Sequence, residues 1–282
     1  MIIVKIKGGL GNQLFQYAVG RSTSLSLRVP LLLDISMYNT YTLHEYRLGN
    51  LKIEAGIATN SEVAKFRGGE SLPSRIFRKN KFFRKSSFRP ERHNFYYDPN
   101  LVSGDNIYLD GYWQNELYFS DIRQTLLQEI APKCELTPTA QLYAKKIKNS
   151  RNSVSIHVRR GDYLEVSGIG VLDKDYFYKA ANILCDQYDN LTFYVFSNDI
   201  PWCKKYLNSI PNVTFIENTE NEVQDLFLMS LCNHNIIANS TFSWWGAWLN
   251  QFRNKCVIAP KGWRLDIDGS DKIIPKDWII IK

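Results

Sequence analysis

The sequence predicts an α/β protein of two domains, and three observations support this prediction. Short β-branched runs alternate with segments of helical spacing, which is the order of a parallel sheet covered by helices on both faces. Polar residues follow the successive strands of the second half, where open α/β sheets bind ligands. A polar break at residues 149–152 separates the halves, so we place the domains at residues 1–150 and 151–282.

The first domain opens with a strand, a glycine-rich loop at residues 8–12, a helix and a second strand. Its middle is less regular, although a strand and two helices can be recognised there. The predicted elements are strands at residues 1–7, 29–34 and 106–110 and helices at 13–27, 121–130 and 140–148.

The second domain has the clearest alternation of strands and helices. Its predicted strands are residues 154–158, 191–196, 213–216, 235–238 and 255–259, and its predicted helices are 175–187, 202–207, 222–232 and 242–251. Parallel strands end at one edge of a sheet, so the residues that follow them should converge on one crevice.

The composition indicates a soluble globular protein, with 44% hydrophobic and 22% charged residues. No apolar run is long enough for a transmembrane helix, and the N-terminus lacks the apolar region of a signal peptide. The five cysteines are scattered and include no Cys-x-x-Cys pair, which favours reduced thiols over disulfides or a zinc site. We therefore expect a cytoplasmic protein.

The positive charge is concentrated in residues 71–93. This segment holds eight Lys or Arg residues and one Glu. Its net charge of +7 equals the formal charge of the whole chain. We expect an exposed insertion whose phenylalanines pack locally. Peripheral contact with an anionic membrane surface is an open alternative. Nucleic-acid binding is disfavoured, because no nucleic-acid-binding motif accompanies the segment.

Two adjacent arginines, Arg159 and Arg160, end the first strand of the second domain, and Gly161 and Asp162 follow them. Guanidinium groups stay charged and fork onto phosphate oxygens, so this pair suits a phosphate or a pyrophosphate. A solvated loop is the alternative, and the Arg-Gly-Asp match to an adhesion motif is discounted as chance. Polar groups after the other strands favour the phosphate interpretation.

Two further loops offer backbone or hydroxyl donors. The loop at residues 8–13 opens a helix but fits neither a Walker loop nor a dinucleotide fingerprint. The run 239–243 could bind an anion or only cap its helix. The Asp266-Ile267-Asp268 triplet lies in a Gly/Ser/Asp turn and is interpreted as a surface loop instead of a metal site.

Transfer from a nucleotide sugar is one reaction that needs such donors. Breaking the anomeric bond builds negative charge on the leaving nucleoside diphosphate, and fixed cations and amide dipoles stabilise that charge in the transition state.

Several blocks, in the same order along nearly the whole chain, resemble the bacterial α-1,2-fucosyltransferases of glycosyltransferase family eleven. These blocks are residues 8–18 (GGLGNQLFQYA), 111–114 (GYWQ), 157–163 (HVRRGDY), 196–199 (FSND) and 240–247 (STFSWWGA).

The resemblance implies a GT-B architecture, with two Rossmann-like domains facing across a cleft: an acceptor-side domain at residues 1–150 and a GDP-fucose-binding domain at residues 151–282. It also implies inverting transfer of L-fucose from GDP-fucose to the 2-hydroxyl of a galactose-type acceptor, without a metal or a further cofactor. The acceptor would be a galactose-terminated oligosaccharide, lipid-linked or free, in O-antigen or other surface-polysaccharide synthesis.

By the same resemblance, Arg159 and Arg160 hold the diphosphate, Asp162 braces the turn, and these three form the catalytic set. Asp225 resembles a guanine-reading carboxylate, although a helix-terminal acid stabilised by the macrodipole explains it equally well. The Gly9–Asn12 loop would approach the donor sugar from the opposing domain. The remaining predicted donor-binding residues are Gly9, Gly11, Asn12, His157, Ser197, Asn198, Asp199, Asn239, Ser240, Thr241 and Ser243. Trp244, Trp245 and Trp248 are expected in the core.

The catalytic base stays open at this point. Asp162, His44, Glu45 and Glu116 are candidates, and late proton loss to water is a further alternative. Two other functions also stay open: a transferase for another nucleotide sugar, and a basic membrane-surface binding protein built on residues 71–93.

Overall fold

The computed structural model describes residues 1–69, 71, 74, 85–101, 104–165 and 167–282. The chain divides into two compact units, Met1–Ile130 and Ala131–Lys282. This division falls before the boundary predicted at residue 150. The helix predicted at 140–148 accounts for the difference, because its buried residues Ala140, Ala144 and Ile147 recur at helical spacing and the helix packs in the second unit.

The first unit is built on a parallel sheet with the strand order β3-β2-β1-β5-β4 in the described part of the chain. The strands are β1 (Ile2–Lys5), β2 (Leu31–Asp34), β3 (Gly56–Ile57), β4 (Phe88–Pro90) and β5 (Ile107–Asp110). The helices described in this unit are α1 (Leu10–Leu27), α2 (Asn60–Arg67) and α3 (Arg123–Glu129). Strands β3 and β4 and helix α2 were not predicted from the sequence.

A buried ionic cluster joins α3 to α1. The Glu129 carboxylate, 6% exposed, accepts hydrogen bonds from the Tyr17 hydroxyl and from Arg21, whose Nη2 lies 2.6 Å from Oε1. Burial, and then the hydrogen bond to Glu129, raise the pKa of Tyr17 well above its usual range. The charges of Arg21 and Glu129 are therefore paired at the contact between α1 and α3.

The second unit is built on a parallel sheet with the order β11-β10-β9-β6-β7-β8. Its strands are β6 (Asn152–Val158), β7 (Leu191–Ser197), β8 (Val213–Phe215), β9 (His234–Ile236), β10 (Val257–Pro260) and β11 (Ile279–Ile281). The helices described here are α4 (Pro138–Asn149), α5 (Lys174–Cys185), α6 (Ile200–Tyr206), α7 (Glu222–Leu231) and α8 (Thr241–Leu249). The alternation predicted for this half is confirmed; only β11 was missed.

The core of the second unit explains why β6 is central. Val154, Ile156 and Val158 have no exposed surface and pack against Phe177 and Leu184 of α5. The tryptophans of α8 are also buried, as predicted: Trp244 stacks on Trp248, with ring centroids 6.0 Å apart. Apolar side chains therefore cover the faces of the sheet, and the polar residues lie at the carboxyl ends of its strands.

Two predictions concern features outside these cores. Residues 72, 73 and 75–84 of the predicted basic insertion lie outside the described residues, so its role stays a prediction. Within the described ranges, no helix combines the length and the apolar character that crossing a bilayer requires.

Candidate active site

The candidate site lies at the carboxyl edge of the second unit's sheet. Strands β9, β6 and β7 are neighbours, and Val158 at the end of β6 pairs with Ser197 at the end of β7. The residues that follow these three strands are therefore neighbours as well. They are the predicted residues Arg159, Arg160, Asn198, Asp199, Asn239 and Ser240.

Arg159 is held by a carboxylate three residues further along the chain. Its Nη2 lies 2.9 Å from Oδ2 of Asp162, and its guanidinium lies 5.6 Å from the centre of the Tyr163 ring. The Tyr163 hydroxyl in turn donates to the backbone oxygen of Asn239 at 3.3 Å. The loop after β6 is thereby tied to the loop after β9.

Arg160 is fixed by residues that follow β7. Its backbone N–H donates to Oδ1 of Asn198 at 3.0 Å, and Nδ2 of Asn198 donates to Asp162 at 3.4 Å. Its side chain lies over the Trp202 ring, 4.3 Å from the ring centre, with Nε 3.5 Å from the Asp199 carboxylate. Stacking and an ion pair thus orient a guanidinium that is mostly buried.

Asp199 also organises the helix beneath Arg160. Its carboxylate caps α6 by accepting the Trp202 N–H at 3.1 Å, while its own N–H donates to the Ser197 hydroxyl at 2.9 Å. Asp199 therefore positions both the cation and the ring on which it stacks.

His157 is a buried, uncharged group at the end of β6. The residue is 4% exposed and its ring lies 5.5 Å from the Phe242 ring, and Nδ1 has no hydrogen-bond partner in the part of the chain that the structure describes. Burial, and secondarily the charge of Arg159, lower the pKa of His157 to about 3. At neutral pH the uncharged imidazole can donate or accept a hydrogen bond with a ligand without adding a positive charge to the site.

The predicted hydroxyl loop begins α8. Ser240 occupies the N-cap position without a side-chain cap bond, which leaves the first amides of the helix uncapped by that hydroxyl. Thr241 is half-buried, whereas the Ser243 hydroxyl is turned inward, 3.2 Å from the Ser240 backbone oxygen. Asn239 is buried and donates to the Gly170 oxygen at 2.8 Å, while its Oδ1 is unpaired.

Asp225 lies in the first turn of α7, mostly buried. Burial raises the pKa of Asp225 to about 6, against a hydrogen bond from Thr219 that lowers it, and Oδ1 has no hydrogen-bond partner. Both the guanine-reading role and the helix-terminal role are compatible with this position.

The glycine-rich loop belongs to the first unit. Gly8 has a φ of 79°, and Gly9 is followed by α1, which begins at residue 10 instead of 13 as predicted. Asn12 accepts a hydrogen bond from Gln114 at 2.8 Å. The buried Gln13 amide donates to the backbone oxygens of Gly8 and Glu45, which fixes the loop from behind.

The four candidate bases occupy different surroundings. Asp162 is engaged by Arg159, and Glu45 lies 2.9 Å from Arg47 at the surface. The His44 imidazole borders Gly9, where a Cβ would lie 3.4 Å from it. Glu116 begins a short 3-10 helix. These positions leave the base unassigned.

Trp202 and Tyr163 were not predicted from the sequence as part of this site, and Gln114 was not predicted to support the glycine-rich loop of the first unit. Trp202 could have been found, because it stands three residues after Asp199, the spacing of a capped helix start. The contacts of Tyr163 and Gln114 cross between loops, so no local pattern reveals them.

Comparison with known proteins gives a consistent result. The family model described as glycosyl transferase family 11 matches residues 86–282. An alpha-1,2-colitosyltransferase of Escherichia coli is 36% identical and covers all of this chain and 99% of its own. The O-antigen biosynthesis glycosyltransferase WbnK of Escherichia coli is 33% identical over 97% of this chain and 98% of its own. A galactoside alpha-(1,2)-fucosyltransferase 2 of Bos taurus is 30% identical over 52% of this chain and 46% of its own.

A solved structure has the same fold. Fucosyltransferase NodZ from Bradyrhizobium matches with a TM-score of 0.53 and 11% identity, over 87% of this chain and 92% of its own. The predicted GT-B fold class, built from two parallel-sheet α/β domains, is confirmed.

Proposed function

This chain belongs to glycosyltransferase family 11, and we propose that it is an inverting α-1,2-fucosyltransferase that works without a metal. The donor in this proposal is GDP-fucose, and the acceptor is the 2-hydroxyl of a galactose-type sugar. The observation that carries the proposal is the pair Arg159 and Arg160, each held in place at the carboxyl edge of a parallel sheet.

The two arginines act on the leaving group. As the anomeric bond breaks, negative charge grows on the nucleoside diphosphate, and two oriented guanidiniums stabilise it more than they stabilise the neutral glycosidic bond. The amides at the start of α8 add N–H donors for the same phosphates. Asp162 keeps Arg159 in position and has no proton-transfer role in this proposal.

His157 and Asp225 serve the nucleotide. The unpaired Nδ1 of His157 hydrogen-bonds the bound donor, and the neutral ring adds no charge. The Asp225 carboxylate accepts two N–H bonds from the guanine edge, a pattern that adenine and uracil lack. The other predicted donor contacts, Gly9, Gly11, Asn12, Ser197, Asn198, Asp199, Asn239, Ser240, Thr241 and Ser243, stay predictions.

The pH dependence of binding tests the role of Asp225. With a pKa of about 6, the carboxylate is ionised at pH 7.5 and mostly protonated at pH 5.5. Calorimetry should show GDP binding that weakens from pH 7.5 to 5.5 more steeply in the wild type than in Asp225→Asn, whose remaining pH dependence comes from protonation of the terminal phosphate of GDP, with a pKa of about 6. A variant that binds GDP as tightly as the wild type would assign Asp225 to the helix terminus alone.

A second donor is favoured by one comparison. The relative matched over the whole chain is named a colitosyltransferase. Colitose is L-fucose without its 3-hydroxyl, so GDP-colitose is the competing donor. A site that hydrogen-bonds this hydroxyl rejects a sugar that lacks it, whereas a site shaped for colitose discriminates only weakly. The ratio of kcat/KM for the two donors decides between them.

We place the reaction in the cytoplasm, in O-antigen or other surface-polysaccharide synthesis. The relative WbnK carries the O-antigen name. Contact with the inner membrane face through residues 71–93 is part of this proposal, and so is a lipid-linked acceptor.

Incubation of lactose with GDP-fucose or, in parallel, with GDP-colitose, followed by linkage analysis of the product, tests the proposed donor, linkage and acceptor. An α-1,2-fucosylated galactose is the expected product. Transfer of colitose but not fucose would select the second donor, and tight GDP binding without transfer to any galactoside would refute the acceptor.

A further inference from the structure

A cavity of about 700 Å³ lies in the first unit, and the glycine-rich loop is not part of its lining. Its walls come from the residues after β4 and from the turn after β5, and they include Glu91, Tyr97, Trp113 and Tyr118. This volume is within the range of about 300–1,000 Å³ typical of small-molecule sites. None of the donor-binding residues predicted from the sequence lines it.

Aromatic rings form one continuous wall of the cavity. The Tyr97 and Tyr118 rings are 4.9 Å apart, and Trp113 meets Tyr118 edge to face at 5.8 Å. Tyr118 is held by its hydroxyl, which accepts the Asp98 N–H at 2.8 Å and donates to the Tyr96 oxygen at 3.1 Å. Tyr97 is 43% exposed, so its face is open to a ligand. Rigid rings that are open on one side suit the C–H face of a sugar.

Trp113 contributes an unsatisfied donor and a strained backbone. Its side chain is 2% exposed, and among the described residues the indole N–H has no hydrogen-bond partner, although buried donors are nearly always paired. Its φ of 57° lies in the left-handed region, which bulky residues rarely adopt. The Glu91 carboxylate holds this turn by accepting the N–H groups of Tyr112 at 2.7 Å and Trp113 at 3.1 Å.

The same turn reaches the glycine-rich loop. Gln114, next to Trp113, donates from its side chain to Asn12 at 2.8 Å. One short segment, residues 112–114, therefore lines the cavity at one end and braces a predicted donor-binding loop at the other. The cavity is placed to hold a sugar close to that loop, within the first unit.

The geometry points to this cavity as the acceptor site: a hexopyranose of the acceptor glycan stacks on Tyr97, which the buried Tyr118 supports, and accepts a hydrogen bond from the Trp113 indole. This inference rests on the proposed function, because it names the site for the galactoside substrate of that reaction. It assigns acceptor affinity to three aromatic residues and leaves nucleotide affinity to the second unit.

Steady-state kinetics with GDP-fucose and lactose test this assignment. Tyr97→Ala should raise the KM for lactose about tenfold, equivalent to about 1.4 kcal/mol, and leave kcat and the Kd for GDP within about twofold. Tyr97→Phe keeps the ring and should raise this KM much less than Tyr97→Ala does. Trp113→Phe removes the indole donor and should raise the same KM. Tyr143→Ala, on helix α4 of the second unit, is the matched control.

Direct binding separates this inference from the proposed function. If the wild type transfers no fucose, saturation-transfer NMR with lactose alone still tests the cavity. Lactose signals in the wild type that are lost in Tyr97→Ala would support the assignment. No lactose binding by the wild type, or binding and KM unchanged in both Tyr97→Ala and Trp113→Phe, would overturn it.

Discussion

Replacing Arg159 by lysine separates the chemical role of this residue from its structural role. Lysine keeps the positive charge and can still reach Asp162, but it loses the planar fork that binds two phosphate oxygens at once. The wild-type pair has Nη2 and Oδ2 2.9 Å apart, and its side chains are 24% and 27% exposed.

The exposed fractions of these two side chains determine how much the ion pair contributes to stability. A pair that is about one quarter exposed contributes roughly 1 kcal/mol or less to stability, since solvent screens it. Loss of one donor to a developing anion costs about 3 kcal/mol of transition-state stabilisation, by analogy with oxyanion holes, or about a hundredfold in kcat. The catalytic loss should therefore far exceed the loss of stability.

The assay compares kcat, KM and thermal unfolding for the wild type, Arg159→Lys and Arg151→Lys. Arg151 is exposed and lies at the opposite end of strand β6, so its substitution should change none of these quantities. We expect Arg159→Lys to lose about a hundredfold in kcat at nearly unchanged melting temperature. A turnover within threefold of the wild type would refute the contact between Arg159 and the diphosphate.

Three further substitutions test other contacts. Trp202→Leu removes the ring under Arg160 and should raise the Kd for GDP about threefold to tenfold by calorimetry; unchanged affinity would show that the stacking is incidental. Gly161→Ala places a methyl group against the Asn198 side chain, so kcat should fall about tenfold or more, whereas a normal kcat would mean that this loop adapts. His234 is buried and burial lowers its pKa, so the unfolded chain takes up a proton below about pH 6.5 that the folded protein does not. Urea unfolding should therefore show stability falling from pH 7.5 to 5, with a smaller slope in His234→Asn; equal slopes would contradict this account.

Much of the fold could be predicted because the strands of the second unit carry β-branched or apolar residues at the spacing of a strand. Residues 154, 156 and 158 of β6 are β-branched or apolar and fully buried, so pattern and environment agree. The missed elements lack such a pattern. Strand β3 has two residues, Gly56 and Ile57, and both are exposed. Helix α2 carried an available signal, because Thr59 and Glu62 form a capping box.

The sequence predicts which polar residues follow the strands, but it does not predict how their side chains are arranged. Charged and polar groups after strands are visible in the sequence, and that is how Arg160 and Asn198 were found. The hydrogen bond between them depends on the register of β6 with β7, which no local pattern specifies. The cavity beside Trp113 depends on a turn whose left-handed residue is not a glycine, so the usual signal was missing.

The contacts of Glu129 with Tyr17 and Arg21 affect the order in which the two units can fold. Tyr17 and Arg21, the partners of the Glu129 carboxylate, both precede residue 130. All the contacts of this cluster therefore lie within the first unit. Because synthesis starts at the N-terminus, all three residues of the cluster are made before the second sheet. The first unit can therefore fold as a unit while the chain leaves the ribosome.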